Sequence, residues 1–361
     1  MTAFDSTKRH LGRGLFAHPL GVNCGAVAVS DDPQQVEVSN GHFLDGLRRA
    51  VELGANLLDT ADCYGAGHAE RMLGRLLREH PDREHLDQRL LTSSKVGRIR
   101  GSAPHAYAGR HIHHQFQQTL ENLYTEKLDL YTLDSWDFGP QDGYLGSAIE
   151  QMCGLRDVGA VRAIGMRGPY VPYGATAVER DACAARFLHL FRIIRPNVVW
   201  TRFNALTPVI TLDGEDLFAF TARHGAGVIL AAPLAHGLLT GRAPRNAMLP
   251  PGSANGPTGL TSLTPEKAMR VTAGLQTLHV HFGNEPGTLT RLALLSCLQK
   301  ADHCAAVVGF TGKAQLEESF GCLSGPALTT PELEVIDQVY AQIRTDMEEQ
   351  SQHRTPQPVR T

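Results

Sequence analysis

Short apolar runs recur along the chain, and most are followed by a longer stretch whose apolar residues return every three or four positions. The runs are Leu20–Ala26, Asn56–Asp59, Leu90–Lys95, Leu128–Leu133, Val161–Ile164, Asn197–Trp200, Val228–Leu230 and Ala305–Val308. Helical spacing is clearest at His42–Leu53, His68–Arg78 and Ile112–Tyr124. Strand-sized runs alternating with helix-sized intervals are the pattern of parallel βα units. Leu128–Leu133 is apolar enough to be buried on both faces, as a strand between two layers must be. Eight runs predict an α/β fold built as a single closed (β/α)8 barrel, with a hairpin around His10–His18 before it and a C-terminal helix after it. A doubly wound open sheet is the alternative reading of the same pattern.

One domain is expected to fill residues 1–350, with the polar stretch Ser351–Thr361 as a disordered tail. Gly241–Pro265 is rich in Pro, Gly, Asn and Ser and falls after the seventh run, where barrel loops cover ligands and order on binding. Hydrophobic residues make up 42% and charged residues 20% of the chain, the balance of a soluble globular protein with a sizeable core. A net charge of −3 and the lack of a basic, aromatic-laced block argue against nucleic acid as a partner. No stretch is long and apolar enough for a signal peptide or a membrane span. The seven cysteines are scattered, with no CxxC pair, which fits reduced thiols in a cytoplasm. The expected partner is a small-molecule substrate; the oligomeric state is not legible.

In such a barrel the side chains at the C-terminal strand ends converge on one mouth, whatever their separation along the chain. Asp59 and Lys95 each close a strand, and Tyr64 follows Asp59 in the next loop. A lysine cation beside a buried phenol favours the phenolate and should lower the Tyr64 pKa toward working pH, with Asp59 holding the lysine charged. Tyr64 would then exchange a proton with a substrate oxygen. By contrast, the spacing of His111, His113 and His114 does not surround one metal, and no metal site is expected. Gly65-Ala66-Gly67 reads as a tight turn, not a phosphate loop, and Cys63 shows no sign of a catalytic thiol.

The same residues carry a family resemblance. Asn56-Leu57-Leu58-Asp59-Thr60-Ala61-Asp62-Cys63-Tyr64-Gly65, followed by Ala69-Glu70 and Leu73-Gly74, resembles the signature of the aldo-keto reductases. Leu91–Lys95 resembles that family's lysine strand. Leu128–Tyr131, Gly159–Gly165 and Pro233–Gly241 resemble further family blocks, so that the likeness runs from about Leu11 to Leu323. Trp136-Asp137-Phe138-Gly139 and Val228–Pro233 are most similar to the branch of L-galactose and D-threo-aldose dehydrogenases. The resemblance implies an NAD- or NADP-dependent oxidoreductase acting on a sugar or other polar carbonyl or hydroxyl compound. It assigns Asp59, Tyr64 and Lys95 to a catalytic tetrad, and Arg167, Trp200, Pro233, Leu234, Gly237, Gly309, Thr311, Lys313, Gln315 and Glu318 to the cofactor side.

Several positions depart from the family pattern. Asp134 stands where a histidine is expected as the fourth catalytic residue. An ionised carboxylate repels the negative charge that develops on a reduced carbonyl oxygen, so Asp134 helps only if protonated, as a base toward an alcohol, or toward a cationic or hydroxyl group. It is therefore either a proton-transfer group coupled to Tyr64 and Lys95 or a polar lining residue. Met166-Arg167-Gly168 replaces a Ser-Asn that holds the nicotinamide carboxamide, Trp200 stands at a glutamine position, and Ala231 at that of a stacking aromatic. Arg167 at the mouth has two readings, a clamp for a carboxylate or phosphate and a partner for Asp134. Few cations surround Gln315, which keeps NAD at least level with NADP. Two alternatives stay open on the same scaffold. One is a dehydratase, epimerase, isomerase or C=C reductase using Asp134; the other is a catalytically silent binding module.

Overall fold

A computed structural model of the chain describes residues 3–26, 33–80, 89–241 and 265–352. Eight strands form a closed parallel barrel in chain order: β3 (Leu20–Asn23), β4 (Leu57–Asp59), β5 (Leu91–Val96), β6 (Leu128–Leu133), β7 (Val161–Arg167), β8 (Val198–Arg202), β9 (Gly227–Ala231) and β10 (Cys304–Val308). Closure is made by β10 on β3, with Ala306 opposite Leu20, Val307 opposite Gly21 and Val308 opposite Val22. That pairing removes the open-sheet alternative. The predicted hairpin is β1 (Arg9–His10) against β2 (Phe16–Ala17). Three strand ends differ from the sequence reading by two residues or more. β3 stops at Asn23 and passes into a 3-10 turn at Cys24–Ala26, whereas β7 and β8 run on to Arg167 and Arg202.

Side chains alternate along each strand. One set, including Leu58, Tyr131, Ile164, Val199 and Leu230, packs outward among the helices. The other set, including Leu57, Leu91, Leu130, Ala163, Val198 and Ile229, fills the barrel and packs with Leu11, Leu15 and Ala17 from the hairpin. The hairpin therefore closes the N-terminal end. Gly227 is what lets it sit there, because a Cβ at that position would lie 2.5 Å from Leu11 Cα. Asn56 fastens the same corner, donating to the Phe16 carbonyl at 2.8 Å and accepting from His18 N at 2.7 Å.

The helical layer includes α1 (Pro33–Glu52), α2 (His68–Glu79), α3 (Gly109–Leu123), α4 (Leu145–Asp157), α5 (Ala177–Ile194), α6 (Leu217–Arg223), α7 (Pro265–Phe282), α8 (Thr288–Leu298) and α9 (Lys313–Gly321). The C-terminal helix α10 (Thr330–Gln352) packs on α7 and takes in the first two residues of the expected tail. The rest of that tail, residues 353–361, and residues 242–264 of the expected loop lie outside the described residues. Among the described residues no helix is long and apolar enough to cross a membrane.

Candidate active site

The alternation that fills the barrel with leucine and valine continues upward into charge. Four residues beyond Leu91, Leu130, Ala163 and Val198, on the same inward stripe, stand Lys95, Asp134, Arg167 and Arg202. Asp59 is two residues beyond Leu57. These side chains meet at the C-terminal ends of the strands, as the sequence predicts for Asp59, Lys95, Asp134 and Arg167.

Asp59 is fully buried and accepts from four donors. Lys95 Nζ (2.8 Å), Asn23 Nδ2 (2.7 Å) and Trp200 Nε1 (3.1 Å) reach Oδ2, and Ser93 Oγ (2.8 Å) reaches Oδ1. A buried carboxylate needs such a shell. Lys95 donates a second bond to the Thr60 carbonyl at 2.5 Å. Burial opposes its charge, but Asp59, followed by Tyr64 and Asp134, overcomes this and holds Lys95 above the ordinary lysine value. Its Nζ lies 5.1 Å from the Tyr64 ring centre and 4.8 Å from that of Trp200.

Tyr64 is buried beside this pair and hydrogen-bonded to the Asn23 side chain. Gly25 permits the approach, since a Cβ there would come within 3.3 Å of the phenol ring and 2.8 Å of Asn23 Oδ1. The expected lowering of the Tyr64 pKa is not what the site produces. Burial raises it, and Lys95 offsets only part of the rise, so the phenol is protonated at neutral pH. Burial likewise pushes the neighbouring Cys63 thiol up to about 12, and the Asp62 carboxyl well above the carboxylate range.

Asp134 forms a second cluster. Its Oδ1 accepts from Arg167 Nη1 at 2.8 Å and its Oδ2 from Arg98 Nε at 2.9 Å, while Arg98 also binds its backbone carbonyl at 3.0 Å. Burial alone would raise the Asp134 pKa, but Arg167, Arg98 and Lys95 outweigh it and hold the carboxyl below its usual value. It is thus an ion-paired anion, not a protonated donor. Of the two readings of Arg167, the pairing with Asp134 is the one present. Trp136 Nε1 fixes the Arg167 carbonyl at 2.8 Å.

The residues expected on the cofactor side fall into two groups. Arg167 and Trp200 belong to the clusters just described, and the single indole donor of Trp200 is engaged by Asp59. Pro233, Leu234 and Gly237 follow β9, with Gly237 at φ 92°. Gly309 and Thr311 follow β10, Lys313 and Gln315 lie in the first turn of α9, and Glu318 in its second. Gln315 Oε1 accepts from Thr311 N and Oγ1 at 2.8 and 3.2 Å. Glu318 accepts from Thr290 Oγ1 at 2.6 Å, and exposed Lys313 faces Asp45 at 3.7 Å. The sequence reading missed Asn23, Ser93, Arg98 and Arg202. Strand parity points to Ser93, which is on the same inward stripe as Lys95.

Comparison with known proteins decides the lineage. The model of the aldo/keto reductase family matches residues 24–341. The chain belongs to that family. It is therefore an enzyme of the aldo/keto reductase family, and the expected (β/α)8 fold is the one found. It is 24% identical to the L-galactose dehydrogenase of Arabidopsis thaliana, across 86% of this chain and 83% of the relative. It is 28% identical to the L-glyceraldehyde 3-phosphate reductase of Escherichia coli K12, across 81% and 82%. Among solved structures, the fold matches the glycerol dehydrogenase of Gluconobacter oxydans with a TM-score of 0.68 at 17% identity, covering 99% of both chains. It also matches an aldo-keto reductase of Bacillus halodurans in its holo form with a TM-score of 0.64 at 21% identity, covering 92% of this chain and 96% of that one.

Proposed function

We propose that the enzyme is a pyridine-nucleotide oxidoreductase for a sugar or similar polar carbonyl or hydroxyl compound, with Tyr64 as the group that gives or takes the proton. The observation that carries this reading is the buried Asp59–Lys95–Tyr64 constellation at the mouth of the barrel. The relatives named for a sugar and for a triose phosphate support a polar substrate. Tyr64 is protonated and donates to a carbonyl oxygen during reduction. Lys95, kept charged by Asp59, stabilises the phenolate left behind. Asn23 positions the phenol and the Asp59 carboxylate together. Asp134 acts as a positioning residue that holds Arg98 and Arg167 at the mouth.

The residues fit a dinucleotide. A Cβ on Gly309 or Gly312 would meet nothing within 4 Å, so the backbone after β10 is open to a ligand. The first turn of α9 has no acidic side chain and no side-chain cap, which leaves its N–H groups for a phosphate. When bound, the nicotinamide supplies or accepts the hydride. Lys313 already faces Asp45, and that pairing supports NAD over NADP. Reduction of aldoses followed by NADH and NADPH absorbance tests the reading. Tyr64→Phe should lower kcat by at least ~100-fold with dinucleotide affinity intact. Unchanged turnover would remove Tyr64 from the reaction.

A further inference from the structure

Among the described residues, the cations of the mouth are ion-paired, with one exception. Lys95 faces Asp59, and Arg98 and Arg167 share Asp134. Arg202, at the end of β8, is half-buried, and its guanidinium lies 5.6 Å from the centre of the Tyr170 ring. Among the described residues no carboxylate and no hydrogen-bond acceptor meets it. Burial, with Arg167 as a like charge nearby, disfavours its charged form, and both Tyr64 and Asp134 lie close enough to act on it. Four cations, Lys95, Arg98, Arg167 and Arg202, therefore stand against two paired anions, Asp59 and Asp134, the neighbouring Asp62 carboxyl being held well above the carboxylate range by burial. A half-buried cation without a partner costs stability unless a ligand completes it.

We propose that Arg202, together with the N–H groups of Arg167 that Asp134 leaves unused, forms a subsite for an oxyanion carried by the substrate. The preferred substrates are then polyhydroxy carbonyl compounds or alcohols with a carboxylate or phosphate at the end away from the reacting carbon. Both anions offer the acceptor geometry a guanidinium reads in two parallel bonds. Held there, the substrate would present its carbonyl to Tyr64. This assignment rests on the redox reading given above and narrows its substrate class.

The test compares kcat/KM for substrates that differ in one anionic group: glyceraldehyde against glyceraldehyde 3-phosphate for the phosphate, and glucose against glucuronate for the carboxylate. An anionic member is expected to be favoured, and the pair showing the larger preference names the group. Arg202→Gln should lower that kcat/KM by about 10- to 100-fold, mostly through KM, and lower it far less for the neutral member. Arg202→Lys should retain part of the preference. Equal losses on neutral and anionic members, or an equal loss of dinucleotide affinity, would overturn the subsite. A second readout needs no turnover. Both tryptophans of the chain, Trp136 and Trp200, lie at the mouth, so their fluorescence reports binding of 3-phosphoglycerate to the dinucleotide-saturated enzyme. Arg202→Gln should weaken that binding at least ~10-fold, and an unchanged affinity would overturn the proposal. Binding through Arg202 in a protein that reduces no sugar would sink the redox reading and leave the subsite standing. Because no ion pair is lost, Arg202→Gln should melt no lower than the wild type without ligand, and inorganic phosphate should raise the wild-type Tm alone.

Discussion

At the N-terminal end of the barrel, Leu57, Leu91, Leu130 and Val198 pack against Leu11 and Leu15 of the hairpin. Further along the same strands stand Asp59, Lys95, Asp134 and Arg202. The backbone is the same at both ends, and so is the alternation that aims these side chains inward. Only the side chains differ. Burial stabilises the fold at the floor, where apolar surface leaves water. At the mouth, burial penalises every charge, and for all but Arg202 the penalty is met by pairing: Asp59 with its four donors, Asp134 with two arginines. The floor should therefore govern stability without touching catalysis, and the mouth should link the two.

The sharpest way to break this comparison is to remove one partner of the buried pair. Lys95→Met leaves Asp59 buried without its cation and should cost about 3–5 kcal/mol of stability as well as turnover. Urea unfolding of that variant and of Lys95→Met/Asp59→Asn checks the cause, because the double variant should recover much of the stability and none of the activity. If the double variant were no better than the single, pairing would not be what the mouth requires. At the floor, Leu11→Ala should cost about 2–4 kcal/mol by opening a cavity, with kcat unchanged. A changed kcat would show that the two ends are mechanically coupled.

Asp134→Asn should have the smallest effect, about 1–3 kcal/mol near neutral pH, because the two arginines lose the shared negative charge and one of its two acceptor oxygens. The sign with pH follows from its lowered folded-state pKa. The stabilisation is complete above the unfolded value of 3.8 and is lost as pH falls through the lower folded value. The gap between wild type and variant should therefore close below about pH 4 in urea titrations. Between pH 6 and 9 the rate profile should keep its shape in the variant. A limb in that range that vanished with Asp134→Asn would restore it as a proton-transfer group.

The barrel is legible because most of its strands are apolar on both faces, which marks them against the helices, although β5 carries Thr92, Ser93, Ser94 and Lys95. That same signal fades at the site. Thr201 and Arg202 end the apolar run at Trp200, so β8 was read two residues short and Arg202 was lost with it. β3 was carried on to Ala26, through a turn, which hid Asn23 as a strand-end residue. Arg98 lies in a loop where no periodicity operates. The direction of the Tyr64 pKa escapes the sequence for a related reason: the lysine is visible there, but the burial that outweighs it is a property of the packed mouth. Hydrophobic patterning finds strands best where they are least chemical.

The hairpin seated against Gly227 also sets the traffic of the enzyme. With one end of the barrel plugged and its interior packed with side chains, the charged mouth is the face from which a reactant reaches Tyr64 and Lys95. On the proposed redox reading, cofactor and substrate would share that doorway, and the one seated deeper would arrive first and leave last.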